Sequence, residues 1–419
     1  MKKNKIISVV IIMTIVMLLG NAALFTNCSS KLLSKEKIFE EESDELADTL
    51  DVVNLPGANT QFGFNLYREL IAEDKDENIF ISPFSILLAL AMAYNGALGD
   101  TNLDMAEALE FKGFDLTELN QGFHDLLLSI KNADSDIDLA IANSIWQRLG
   151  SDVDKDFIER NKKYYNSEVR ELDFSSPDAV DTINEWIDDA TMGKIDKMLT
   201  EVSADAVMYL INAIYFKGNW TYEFDEEFTE EEDFYLLDGS TKKVPMMAQR
   251  EDFRYLKESN YSSVRLPYGQ EKMAMYIILP DRGVDIDTVI GSFDSEEWQN
   301  YLSSFSETEV ELKMPKFKME YGIKLLNDAL TNLGMGIAFS SDADFSGINP
   351  DTFISRVLHK AVIEVNEKGS EAAAATVVEM DRGGDIAETV EFIVDRPFFF
   401  VISDDRTGSM LFMGKVVEP

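Results

Sequence analysis

The chain has 419 residues, with 77 acidic side chains against 38 Lys and Arg and a formal charge of −39. That surplus repels phosphate backbones and argues against nucleic acid as a partner; the acidity itself reads as a solvated surface. A single cysteine excludes an internal disulfide and a thiolate metal cluster, and two histidines are thin provision for a hydrolase.

In chain order, Met1-Lys-Lys-Asn-Lys5 precedes an uncharged apolar run over 6–20 and a stretch ending at Cys28, the order of an export signal. The run is shorter than the ~20 residues a spanning helix needs, so export is the expected fate. Cys28 resembles the lipid-bearing cysteine of bacterial lipoproteins, yet Phe25-Thr26-Asn27 lack the small residue that usually precedes it. Lipid attachment at Cys28 and ordinary secretion both stand open. Residues 29–55 are acidic without apolar periodicity, which is linker chemistry. The expected division is an export signal over 1–27, an acidic linker over 28–56 and one domain over 57–419.

Past Pro56, Phe62, Leu66, Tyr67 and Leu70 fall on one helical face, and helical spacing recurs over 85–94, 119–130, 179–190 and 321–333. Strand patterns follow over 208–216, 274–279, 309–319, 357–365 and 392–402. Helices followed by many strands, without βα alternation, predict an α+β domain. No G-x-S-x-G, H-E-x-x-H or phosphate-loop motif occurs, so the chain reads as a non-enzyme without cofactor or metal, and His124 as a surface residue.

The most unusual stretch runs Glu367-Lys-Gly369-Ser370-Glu371-Ala372-Ala373-Ala374-Ala375-Thr376. Alanine favours helix. Against that, no proline lies between Pro350 and Pro397, so every residue keeps the backbone donor of a central strand. Alternation would send Ser370, Ala372, Ala374, Thr376, Val378 and Met380 to one face, and Glu371, Glu379 and Asp381 to the other. The polar, glycine-rich Asp381-Arg-Gly-Gly-Asp385 beyond it would be open to a protease.

This segment resembles the hinge of inhibitory serpins. The flanks agree in the family's order: Asn78-Ile-Phe-Ile-Ser-Pro-Phe-Ser-Ile86, Asn212-Ala-Ile-Tyr-Phe-Lys-Gly-Asn-Trp220, Met314-Pro-Lys-Phe317, His359-Lys-Ala361 and Arg396-Pro-Phe398. The resemblance implies a bacterial, inhibitory-type serpin: one domain of helices around three sheets, with a reactive loop over about 367–392 able to enter the large sheet. It implies a shutter at Ser82, Ser85, Asn212 and His359, and a breach at Trp220 and Lys316, with Lys316 paired to Glu367. Counting along the loop puts the reactive bond at Gly383-Gly384, whereas the charge of Arg382 favours Arg382-Gly383 for proteases with an acidic primary pocket.

The function implied is a secreted or extracellular suicide inhibitor of serine proteases, whether trypsin-like, elastase-like or subtilisin-like, with cysteine proteases as a further class. Membrane attachment would come only through the N-terminus. Heparin is not expected, because residues 101–116 carry a single cation, Lys112. The competing expectation is a non-inhibitory carrier or binding module of the same fold.

Overall fold

The computed structural model describes residues 54–350, 352–370 and 389–419. In chain order they form α1 (Leu55–Glu73), β1 (Ile79–Ile81), α2 (Pro83–Tyr94), α3 (Gly99–Ala108), α4 (Leu116–Lys131), β2 (Ile137–Arg148), α5 (Lys155–Tyr165), β3 (Glu168–Leu172), α6 (Ala179–Ala190) and β4 (Met208–Asn219). Next come β5 (Glu230–Tyr235), β6 (Thr241–Lys257), β7 (Tyr261–Tyr268), β8 (Met273–Pro280), α7 (Ile286–Gly291), α8 (Ser295–Leu302), β9 (Ser306–Pro315), β10 (Phe317–Glu320), β11 (Lys324–Leu325) and α9 (Asn327–Leu330). The chain closes with β12 (Leu358–His359), β13 (Val362–Asn366), β14 (Gly369–Ser370), β15 (Val390–Ile393), β16 (Phe398–Asp404) and β17 (Ser409–Val416).

Among the described residues these strands make three sheets. One has nine strands, in the path β1-β17-β16-β8-β7-β6-β9-β15 with β5 on β6. A second has six, in the order β10-β13-β14-β4-β2-β3, and β11 pairs with β12. This is the α+β fold the sequence predicts. No helix among the described residues is long and apolar enough to cross a membrane.

Helix α2 positions the site. Apolar on nearly every side, it is buried almost throughout and packs between β4 of one large sheet and β17 of the other. Ser82 caps it, its hydroxyl accepting from the Ser85 amide at 3.2 Å, and Pro83 starts the first turn. On the far face of the six-stranded sheet, Ile183 and Ile187 of α6 pack with Ile211, Ala213 and Trp146. The middle sheet therefore has cover on both sides.

Several predicted boundaries move. The helical pattern over 321–333 yields helix only from Asn327 onward, in α9 and the wider turn Thr331–Met335 that continues it, because the preceding residues pair as β11, with Lys324 opposite His359. Strand 309–319 is two strands in different sheets, parting at Lys316, and 392–402 breaks into β15 and β16 around Pro397, which has no amide to donate. The 357–365 run pauses at Lys360 and Ala361 between β12 and β13.

Candidate functional site

Gly369 and Ser370 occupy a seat between the long strand β4 and the shorter β13. On one side they pair with Asn366 and Val365 of β13, on the other with Asn219 and Gly218 of β4, both antiparallel. Among the described residues, β14 is the only strand that joins β4 to β13. Gly369 is required here: its φ is +148°, and a Cβ would lie 2.1 Å from the Gly218 carbonyl oxygen.

Aromatic packing holds the seat. The Ser370 hydroxyl is buried 2.7 Å from the Tyr268 hydroxyl, and the Tyr268 ring stacks on Trp220 with centroids 4.4 Å apart. Trp220 Nε1 donates to the Asn366 carbonyl at 3.0 Å, and its amide to the Lys368 carbonyl at 2.8 Å. Beside it, Lys316 Nζ lies 2.8 Å from Glu367 Oε2, while Thr229 Oγ1 donates to Glu367 Oε1 at 2.8 Å. Burial works against ionisation of Glu367, but Lys316, Thr229 and a backbone amide outweigh it and hold the carboxyl below its usual range.

A second polar cluster lies deeper. The Ser82 amide donates to His359 Nε2 at 3.1 Å, and Ser82 Oγ donates to the Leu411 carbonyl at 2.7 Å. Ser85 Oγ donates to Asn212 Oδ1. Since Nε2 accepts, His359 is the neutral tautomer, and burial pushes its pKa down to about 4. The structure thus brings Ser82, Ser85, Asn212 and His359 together, and Trp220 together with the Lys316–Glu367 pair.

Two further residues join that sequence reading missed. Asn143 of β2 accepts from Asn212 Nδ2 at 2.6 Å and donates to the Tyr165 carbonyl at 2.7 Å. Neither β2 nor β7 stands out from the periodicity of the sequence, so nothing placed Asn143 or Tyr268 beside the predicted residues.

Below the cluster is a cavity of about 600 Å³ between α2, the first half of β4 and residues 352–359. Ala89, Leu90, Ala93, Met208, Leu210 and Val357 line it, with Ser85, Asn212 and His359 among its polar groups. The arrangement is one of parted strands over an apolar floor, which suits acceptance of a strand. Among the described residues no cluster of His, Cys, Asp or Glu could hold a metal ion. The export signal, Cys28, the hinge residues Glu371, Ala372, Ala373, Ala374, Ala375 and Thr376, and the reactive-bond candidates Arg382, Gly383 and Gly384 lie outside the described residues.

A family model described as serpin (serine protease inhibitor) matches residues 57–419. Leukocyte elastase inhibitor of Bos taurus is 37% identical over 386 residues, covering 87% of this chain and 99% of its own. The solved native state of tengpin, a thermophilic serpin, superposes with a TM-score of 0.80 at 32% identity, covering 87% of this chain and 94% of that one. Human thyroxine-binding globulin in complex with thyroxine gives 0.79 at 32% identity, with coverage of 88% and 99%.

Proposed function

This chain belongs to the serpin family, and from that premise we propose that it is an extracellular suicide inhibitor of serine proteases. The observation that carries the reading is β14: Gly369 and Ser370 of the hinge are already paired on both sides, between strands that are otherwise unjoined among the described residues. In sequence, Ala372 to Thr376 follow it with small side chains and no proline, as a strand able to lengthen β14 would need. In the proposed sequence a protease serine attacks a carbonyl within 380–386, at Arg382-Gly383 or at Gly383-Gly384. The new amino terminus departs, and the acyl-linked segment enters the sheet before water can cleave the ester. Met1 to Cys28 supports export, with Cys28 a proposed point of lipid attachment.

The test is incubation with trypsin-like, elastase-like and subtilisin-like proteases, followed by denaturing electrophoresis. A band near the summed mass is the expected result; clean cleavage by every protease would overturn inhibition. The likeness to thyroxine-binding globulin favours a second reading, a carrier of the same fold. The run Ala372 to Ala375 weighs against it, and a nicked carrier would gain no thermal stability.

A further inference from the structure

Two strand registers meet at β14. Six residues on from Ser370 in an antiparallel ladder means six back from Gly218, to Asn212, and six back from Val365, to His359. Nine residues on means Tyr209 on one side and Arg356 on the other. A strand continuing from Ser370 would therefore place residue 376 between Asn212 and His359, and residue 379 between Tyr209 and Arg356.

The described residues support that continuation independently. Asn212 and His359 are already level, both reached from the first turn of α2. Ile211 and Leu358, one step further, pack in the same apolar cluster under α6. Tyr209 and Arg356 line the same cavity. The change of register between β10–β13 and β11–β12 is taken up at residues 321–323, three residues facing two, with Gly322 at φ +39°. His359, Ala361, Ile363 and Val365 are all buried, with Lys360 buried as well at the pause between β12 and β13.

Three positions before the inward-facing His359, Arg356 falls on the outer face when the strand is counted back from β12, and its Nη1 lies 3.0 Å from Oε1 of Glu201, whose side chain is 73% exposed. Such a partner is weakly held. An odd number of steps from the inward-facing Ser370 brings position 379 to the same outer face, and side chains directly opposite have Cβ atoms about 5 Å apart. Position 379 is a glutamate. The other acids of the segment meet less: Glu371 falls between Lys217 and Glu364, and Asp381 between Val207 and Ile354.

Resting on the inhibitor reading above, we infer that Arg356 is a positioning residue for the inserted strand, exchanging Glu201 for the carboxylate of Glu379. The occupant of the slot is this chain's own segment 371–380. Its length matches the part of β4 from Met208 to Lys217 that it would line.

The test uses the full chain carrying Cys28→Ser, nicked by a protease that cuts within 380–386. Arg356→Cys with Glu379→Cys should form a disulfide under mild oxidation at least tenfold faster after nicking. Arg356→Cys with Val378→Cys, whose side chains face opposite ways, should not. Separately, Arg356→Glu and Glu379→Arg should each raise, about twofold or more, the inhibitor consumed per protease trapped, and their combination should return toward the parent. A nicked parent that gains thermal stability while the 356–379 pair fails to cross-link overturns this inference alone, as does an Arg356→Glu variant that inhibits like the parent. A nicked parent that gains no stability overturns the inhibitor reading as well.

Discussion

Lys316 and Glu367 meet at 2.8 Å where the chain crosses from the nine-stranded sheet to the six-stranded one, so a single ion pair ties that crossing to the root of the hinge. The glutamate side chain is 6% exposed and the lysine 38%. Lys316→Met would strand a buried carboxylate with Thr229, at a cost of ~1–2 kcal/mol once solvent screening at the lysine is allowed for. The amides of Trp220 and Phe224, bonded to the carbonyls of Lys368 and Glu367, should exchange faster in that variant. Because Glu367 titrates lower folded than unfolded, its contribution is present above the unfolded carboxyl pKa and disappears as pH falls below it. Parent and variant should therefore converge in acid, as thermal melts at neutral pH and near pH 3 will read.

Tyr268 and Ser370 satisfy each other in a site with no water access, both being buried. Tyr268→Phe or Ser370→Ala alone leaves one hydroxyl unpaired, at ~1–2 kcal/mol each. The double substitution removes both polar groups and should cost clearly less than the sum. A double-mutant cycle on the melting of the intact protein measures the difference.

His359 gives the intact protein a pH dependence. Its pKa falls to about 4 when folded, against about 6.5 unfolded, so the unfolded chain binds the proton first as pH drops. The stability it contributes is complete above about pH 6.5 and lost toward about pH 4, on the order of 3 kcal/mol in all. His359→Gln, which can still accept from the Ser82 amide, should flatten the slope of stability between pH 6.5 and 4.5. Other carboxylates titrate equally in both proteins, so the difference between their melting curves isolates the histidine.

Much of this was legible in the sequence, for identifiable reasons. Apolar period put Phe62, Leu66, Tyr67 and Leu70 of α1 on one face, and all four are fully buried. Resemblance supplied Ser82, Ser85, Asn212, His359, Trp220 and Lys316, which no periodicity could have drawn together from distant segments. What escaped was governed by partners rather than by local pattern. Periodicity cannot say that 309–319 changes sheets at Lys316, because both halves alternate equally well. Nor can it assign Tyr268 to Ser370, a contact that spans 102 residues.

Gly369→Ala tests whether the seat of β14 is needed in the intact protein. The added methyl would lie 2.1 Å from the Gly218 oxygen and 2.7 Å from Asn219 Cα, both backbone atoms, at a φ that L side chains resist. Since the surrounding strands are fixed by longer ladders, the body should fold while Gly369 and Ser370 leave the sheet. Loss of the bonded Trp220 amide and a change in Trp220 emission would report this. A displaced hinge should also be attacked faster by protease, about fivefold for each ~1 kcal/mol of lost seating.

Ala374→Arg tests the face assignment in the trapping step. Continued from Ser370, the register sets position 374 between Ile214 and Ala361, both buried and directed at the core. Position 373 falls between Tyr215 and Val362 on the opposite face. An arginine at 374 would carry an unpaired charge into the apolar floor, a penalty of several kcal/mol, whereas one at 373 can reach solvent along the outer surface. Ala374→Arg should therefore be cleaved by a target protease without forming the covalent adduct, and Ala373→Arg should still form it in part. Electrophoresis of both variants after equal exposure to protease reads the outcome directly. Equal trapping by the two would mean that residue 374 does not face the core, and would move the whole inserted row by one residue.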